Sequence, residues 1–402
     1  MSFYDQKIVL VSTLDTKGEE SAYLKKRLEN AGRRVCVIDI GTAGTPAFHA
    51  DITRETVLEQ TTLTQQSAGV SVVLESITAG LEIILRDLLD RDDISAVVGI
   101  GGGKGASVFH RATVGLPYGF PKLLITSARP AMLAEIAMTT DTILLPTLVD
   151  LFGVNKFIRA VLDNAALMLS GLNWIAEKER SVKTVAVTAF GVTTPAVRAI
   201  KSNLEQAGIA VIVFPANGAG GRMMEALIAR SAFDGVVDLT TTEMADLLLG
   251  GTASAGEERL KAASAIGIPQ VIAPGAIDMV NFGPPETVPD TFSDRTKYQH
   301  TPLTTLVRTT PADTAQIAKM TSERLNLASG AVVVFWPGGG VSDYDSPGQE
   351  FYDPAANTAW LNEMRRSLNS TVNLIETDYH INHPNFAALC SEWMITQLEM
   401  RA

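Results

Sequence analysis

AVVGIGGGKGAS (96–107) is the stretch that decides the fold. Its first five residues are an unbroken apolar, β-branched-rich run, the pattern of a strand covered on both faces. Three glycines and Lys104-Gly105 follow, and then a helical pattern begins. Strand, glycine loop and helix in direct succession form the βα unit of a parallel sheet. The same alternation extends outward. Upstream lie KIVLVST (7–13) and RRVCVIDI (33–40). A helix follows, with Val73, Leu74, Ile77, Leu81, Ile84, Leu85 and Leu88 repeating at spacings of three and four. Downstream lie PKLLITS (121–127), TILLP (142–146) and a helix over about 154–175.

The charged stretch EKERSVK (177–183) interrupts the pattern, which then restarts with KTVAVTAFG (183–191), AVIVFPA (210–216), GVVDLT (235–240) and PQVIAPG (269–275). An irregular, proline-rich stretch (282–302) precedes LVRTT (306–310), AVVVFWP (331–337) and TVNLIETD (371–378). The expected fold is therefore α/β. Two doubly wound domains with parallel sheets, 1–180 and 181–402, enclose a cleft between them.

Composition agrees. The 402 residues are 46% hydrophobic and 19% charged, enough for two large cores and too apolar for disorder. The net charge of −11 argues against nucleic acid as a partner. No apolar run approaches the ~20 residues of a membrane span, and the N-terminus lacks a basic region followed by a signal-length apolar stretch. With only Cys36 and Cys390, far apart and in apolar contexts, a disulfide framework is not indicated. A cytoplasmic location, without a membrane partner, is the expectation.

Parallel sheets bind ligands beyond the carboxyl ends of their strands, so the loops after strands carry the candidate chemistry. In the glycine loop, Gly101, Gly102, Gly103 and Gly105 let backbone N–H groups approach an anion, the following helix points its positive end there, and Lys104 adds a charge. The Walker A spacing is absent. LDTKGEE (14–20) offers Asp15, Thr16 and Lys17 to the same edge, although Asp15 or Thr16 can equally cap the next helix. ITSARP (125–130) adds Ser127 and Arg129.

In the second half, FGVTTPA (190–196) supplies Thr194, and NGAGGRMME (217–225) supplies Gly220, Gly221 and Arg222. LTTTEMAD (239–246) supplies Thr241, Thr242 and Glu243, although Thr240 or Thr241 with the glutamate downstream also reads as helix capping. These residues are candidate substrate contacts. Glu243, Asp278 and His380 are the candidate catalytic groups. Asp278 lies in the non-periodic APGAIDMVNFGP (273–284), and His380 in ETDYHINHP (376–384). No HExxH, CxxC or GxSxG is present, so no dedicated metal ligands can be named. A Mg²⁺ held by carboxylates and ligand phosphates is compatible with the pattern.

Several of these stretches are long and unusual. DTK (15–17), GIGGGKGAS (99–107), LPTLVDLFGVN (145–155), FGVTTPAV (190–197), NGAGGRMME (217–225), DLTTTEMAD (238–246), GAIDMVNFGP (275–284), SPGQEFYDP (346–354) and YHIN (379–382) resemble the Tm-one-like ATP-binding domain family. That family includes the N-terminal half of a plant tobamovirus-resistance protein. The resemblance covers nearly the whole chain and implies two Rossmann-like three-layer domains, ATP as ligand and a homodimer or higher assembly. Three functions follow as alternatives. The first is an ATP-dependent enzyme of small-molecule metabolism, such as a kinase or ligase of a small carboxylate or sugar acid. The second is a nucleotide-responsive binding protein without turnover. The third is a nucleotide-independent lyase or hydrolase of a small oxo-acid.

Overall fold

The computed structural model describes residues 6–61, 70–172, 174 and 182–401. The chain divides into two compact units, Met1–Lys178 and Glu179–Ala402.

The N-terminal unit is built on five strands: β1 (Lys7–Ser12), β2 (Arg34–Asp39), β3 (Ile94–Gly101), β4 (Lys122–Thr126) and β5 (Ile143–Pro146). They pair in the order β2-β1-β3-β4-β5, all parallel. Alternate residues of β1 serve opposite faces, as the pleat requires. Ile8 and Leu10 join one core with Leu24 and Leu28 of α1 (Gly18–Asn30) and Ile158 and Leu162 of α6 (Lys156–Gly171). Val9 and Val11 join the other core. There they meet Ile77 and Leu81 of α3 (Val70–Asp90), Phe109 of α4 (Gly103–Thr113) and Ile136 of α5 (Pro130–Thr139). A short helix, α2 (Arg54–Glu59), precedes α3. Both sheet faces are covered, which is why these strands read as continuous apolar runs.

The C-terminal unit repeats the plan. β6 (Thr184–Ala189), β7 (Ala210–Pro215), β8 (Gly235–Thr240), β9 (Gln270–Gly275), β13 (Val332–Pro337) and β14 (Val372–Thr377) form a parallel sheet in the order β14-β13-β9-β8-β6-β7. Helices α7 (Thr194–Gln206) and α13 (Pro384–Glu399) pack on one face through Ile200, Leu204, Phe386 and Met394. α8 (Ala219–Ile228), α9 (Thr242–Leu249), α10 (Ala262–Ile266), α11 (Pro311–Leu325) and α12 (Pro354–Ser367) complete the helices. Among them α11 and α12 cover the opposite face through Ile317, Trp360 and Met364.

One region departs from the expectation. The residues after β9, expected as irregular chain and one more parallel strand, form an antiparallel sheet. β10 (Met279–Phe282) pairs with β12 (Thr304–Arg308), which pairs with β11 (Lys297–Thr301). KYQHT of β11 is a polar, mostly exposed edge strand, and β10 has four residues, so neither carries a readable period. The helix expected over 154–175 spans Lys156–Gly171. Ile175 and the charged break up to residue 181 lie outside the described residues. Among the described residues, no helix is long and apolar enough to cross a membrane. Both cysteines are buried free thiols, and burial pushes Cys36 up to about 11.

Candidate functional site

In the N-terminal unit the strand order reverses between β1 and β3, so their following loops diverge and leave a crevice at the sheet's carboxyl edge. Open α/β sheets bind ligands at such switch points. Three loops meet there. After β1, Asp15, Thr16 and Lys17 lead into α1. Neither Asp15 nor Thr16 caps that helix: its N-cap is Lys17, with no side-chain cap. The Thr16 hydroxyl pairs with that of Thr13 at 2.8 Å, and the Lys17 ammonium donates to the Leu151 carbonyl. Asp15 Oδ2 accepts from Ala43 N–H at 3.2 Å, and Asp39 Oδ1 accepts from Leu14 and Gly41 N–H at 3.0 and 2.9 Å. These bonds tie the loop after β1 to the loop after β2.

The third loop is the glycine loop. Gly101 ends β3, Gly102 is the N-cap of α4 in extended conformation, and no side chain caps the helix. The first N–H groups of a helix have no partner within it, and here they meet no capping oxygen either. Its first turn carries no acid. A Cβ built on Gly103 would meet nothing within 4 Å, so the space in front of this backbone is open. That space is a cavity of ≈ 390 Å³, lined by Thr13, Asp15, Thr16, Lys17, Thr42 and the segment from Gly102 to Gly105. Asp15 is the only carboxylate among these lining residues. A second cavity of ≈ 530 Å³ lies across Gly103 and Lys104, bounded by α3, α4 and the loop after β4, and it includes Ser127 and Arg129. The Ser127 hydroxyl donates to Asp150 at 3.1 Å. Among the described residues, no three His, Cys, Asp or Glu side chains converge as a metal-binding group.

The glycine turn of the C-terminal unit looks similar in sequence and differs in structure. Gly218 and Gly221 N–H donate to Glu243 Oε1 at 2.7 and 3.3 Å. A Cβ on Gly221 would lie 2.2 Å from Glu243 Oε2, so this glycine is required by the carboxylate itself. The anion at the start of α8 is thus supplied by the chain. Glu243 is fully buried, and its Oε2 accepts from Arg259 Nε at 2.6 Å. The Arg259 guanidinium also forks onto Asp238 and reaches Glu225 Oε1 at 3.3 Å. Burial pushes the Glu225 carboxyl up despite Arg259. A charge this deep survives only when paired, and Arg259 pairs with three carboxylates.

The remaining candidates are placed as follows. Gly220 N–H donates to Asn217 Oδ1 at 3.1 Å, and Arg222, half-buried, lines a cavity of ≈ 440 Å³ beside Glu225 and Lys261. The Thr194 hydroxyl donates back to the Phe190 carbonyl at 3.2 Å, Thr241 donates to the Ala273 carbonyl at 3.1 Å, and Thr242 is fully buried. Thr241 is the N-cap of α9 but does not cap it with its side chain, and the Thr240 hydroxyl bonds to Thr193 and Thr188 instead, so neither threonine forms the capping pattern with Glu243. His380 accepts from Asn382 N–H at Nδ1 (3.1 Å), which places its proton on Nε2, donating to the Ser342 carbonyl at 2.9 Å. Asp278 is buried and accepts from the Ser342 hydroxyl at 2.7 Å. Burial first and the neighbouring Asp345 second push its carboxyl up to about 7, against the pull of Arg308. The three proposed catalytic groups therefore do not converge: Glu243 belongs to the Arg259 cluster, while Asp278 and His380 brace the segment around Ser342.

With this geometry in hand, comparison with known proteins gives the family. The N-terminal domain of the uncharacterised protein family UPF0261 matches residues 6–178, and the C-terminal domain of the same family matches 182–398. The chain belongs to the UPF0261 family. A UPF0261 protein of Clostridium tetani is 36% identical over 404 residues, spanning 98% of this chain and 100% of that one. The ToMV resistance protein Tm-1(GCR237) of Solanum lycopersicum is 34% identical over 409 residues, spanning 95% of this chain and 54% of the tomato protein. The resemblance to the Tm-one-like family is borne out by that relative. The crystal structure of Acinetobacter baumannii MurG aligns over 98% of this chain and 93% of its own. At 10% identity and a TM-score of 0.21, that likeness is too distant to bear on chemistry.

Four residues of the UPF0261 chain at these places are not among the candidates that the sequence offers: Thr13, Thr42, Arg111 and Arg259. Thr13 and Thr42 reach the first cavity from the ends of short loops, where a lone threonine carries no signal. Arg111 lines the second, and it did leave a signal: it lies seven residues after Lys104, two turns along the same face of α4. Arg259 gives no signal in the sequence because GEERLKAAS (256–264) reads as a solvated charged stretch, yet this side chain is fully buried.

Proposed function

We propose that the N-terminal unit of this UPF0261 chain binds ATP through its phosphates at the glycine loop 101–105, as part of an ATP-dependent enzyme of small-molecule metabolism. The observation that carries the reading is the contrast between the two glycine turns. The one at 217–221 is closed by the internal carboxylate of Glu243, whereas the one at 101–105 is uncapped, open in front of Gly103 and flanked by Lys104. An uncapped helix N-terminus with accessible N–H groups and a nearby ammonium suits a phosphate chain. Its place at the β1/β3 switch point suits a nucleotide, and ATP in particular follows from the family resemblance. A Mg²⁺ arriving with the phosphates would find Asp15 on the wall of the same cavity. One carboxylate plus phosphate oxygens and waters is a common setting for that ion. The kinase or ligase reading draws its support from the second cavity across Lys104, which leaves room for a co-substrate beside the terminal phosphate.

The test is calorimetric titration of the wild-type chain with ATP, ADP, AMP and adenosine, with and without Mg²⁺. Affinity should fall as phosphates are removed and vanish with adenosine. Equal affinity for adenosine and ATP, or no heat with ATP, would contradict the reading.

A further inference from the structure

The second cavity of the N-terminal unit is lined by three cations and one acid. The chain as a whole is acidic, with 44 Asp and Glu against 33 Lys and Arg. Yet Lys104, Arg111 and Arg129 all line this one space of ≈ 530 Å³, and none of the three makes a hydrogen bond or ion pair through its side chain with a described residue. Five other cations of the same unit are paired. Lys25, Arg27, Arg54, Arg86 and Arg91 of the same unit each meet a carboxylate within 3.0 Å. Surface pairs of that sort cost little to form, so three convergent cations left without them mark a place kept for an external anion.

The backbone arrangement supports a built site. Lys104, Ser107, Val108 and Arg111 are spaced three and four apart, so they form one stripe of α4 facing the cavity, while Phe109 and Ala112 on the opposite side are in the core. Arg129 precedes Pro130, the first residue of α5, and adopts the extended backbone that a following proline enforces (φ −62°, ψ 146°). Its side chain therefore starts from a fixed base. Two guanidinium groups offer planar forks that match carboxylate or phosphate oxygens. Glu75 of α3 is the one acid among the lining residues. The volume falls in the usual range for small-ligand sites, about 300–1,000 Å³.

We propose that this cavity is the subsite for a small anionic co-substrate, bearing a carboxylate or phosphate group held by Arg111 and Arg129. Its other end approaches Lys104, the one cation that lines both cavities. The assignment of this anion as a co-substrate rests on the nucleotide reading of the neighbouring loop; the anion site itself does not. Glu75 works against the anion and limits its affinity, so its removal should tighten binding.

Thermal shift tests both parts separately. Inorganic phosphate and malonate serve as probes of the two anion chemistries, each titrated without nucleotide and again in the presence of saturating non-hydrolysable ATP. The wild type should be stabilised by at least one probe, with the effect persisting when nucleotide is bound. The probe that acts identifies the preferred group. The variant Arg111→Ala/Arg129→Ala should require at least tenfold more probe for the same shift, while its nucleotide affinity stays within twofold of wild type. Glu75→Gln should need several-fold less probe, a gain that a folding defect cannot mimic. An unchanged probe response in the double variant, or no response in the wild type, overturns the proposal. A response that depends on the arginines in a protein that fails to bind nucleotide upholds the anion site and removes the nucleotide reading instead.

Discussion

Replacing Glu243 by glutamine separates three accounts of the C-terminal unit. If Glu243 closed a capping box, glutamine would accept the same bond and change little. If it were a catalytic or metal-holding carboxylate, turnover would fall at normal stability. The structure predicts a third outcome. Three donors are aimed at this buried carboxylate: Arg259 Nε–H at 2.6 Å, Gly218 N–H at 2.7 Å and Gly221 N–H at 3.3 Å. A glutamine amide has one acceptor oxygen, so its NH₂ must face either the guanidinium or the start of α8. Leaving a buried donor unmet costs about 1–3 kcal/mol, and more when it is charged. Loss of one partner from a buried ion pair costs about 3–5 kcal/mol. The cost here is moderated because Asp238 and Glu225 still hold Arg259 and the cluster carries excess negative charge. A net loss of about 2–4 kcal/mol results, which for a unit of this size lowers the melting temperature by about 5–12 °C. Differential scanning calorimetry measures it, with the N-terminal unit's nucleotide affinity as an internal control that should not move. A variant that melts within about 2 °C of wild type would refute the structural assignment of Glu243.

Two further outcomes follow. Lys104→Ala removes a point charge while leaving the N–H cradle, so ATP affinity in a calorimetric titration should weaken about three- to tenfold, with a smaller salt dependence. Burial and the neighbouring Asp345 push the Asp278 carboxyl up to about 7, above the ordinary value near 4, so the folded state binds the extra proton between those limits. Its contribution is therefore full below about pH 4 and is lost as pH rises through about 7. Denaturant unfolding at pH 5 and pH 8 should show Asp278→Asn with a flatter pH response than wild type and about 1–3 kcal/mol more stable than it at pH 8. Parallel pH responses in the two proteins would count against a raised Asp278.

The parallel strands were legible because both faces of each sheet are covered, so AVVGI (96–100) and GVVDLT (235–240) read as apolar runs whatever the details of packing. KYQHT of β11 was not legible, because an exposed polar edge strand has neither apolar content nor alternation. The glycine loop 101–105 stands out as a candidate anion site from its strand–loop–helix context. NGAGG (217–221) gives the same local signal, and nothing local could show that its anion is Glu243, more than 20 residues further along and brought there because β7 and β8 flank β6 in the sheet. Asp278 and His380 were chosen for their chemistry in non-periodic chain. Their partners, Ser342 and Asn382, show that such residues equally serve to hold an irregular loop together.

In the proposed nucleotide site, backbone N–H groups in front of Gly103 hold the phosphates of ATP. Gly103→Val is the decisive variant, because a Cβ at this position meets nothing within 4 Å beyond its own helix turn and so intrudes on the ligand. Folding stability should stay within about 0.5 kcal/mol of wild type, as for surface substitutions in general. Displacing the phosphates from two charge-assisted N–H bonds, at about 1.5–3 kcal/mol each, should weaken ATP binding by 100-fold or more in a calorimetric titration. A Gly103→Val protein that folds normally and binds ATP with wild-type affinity would contradict the account.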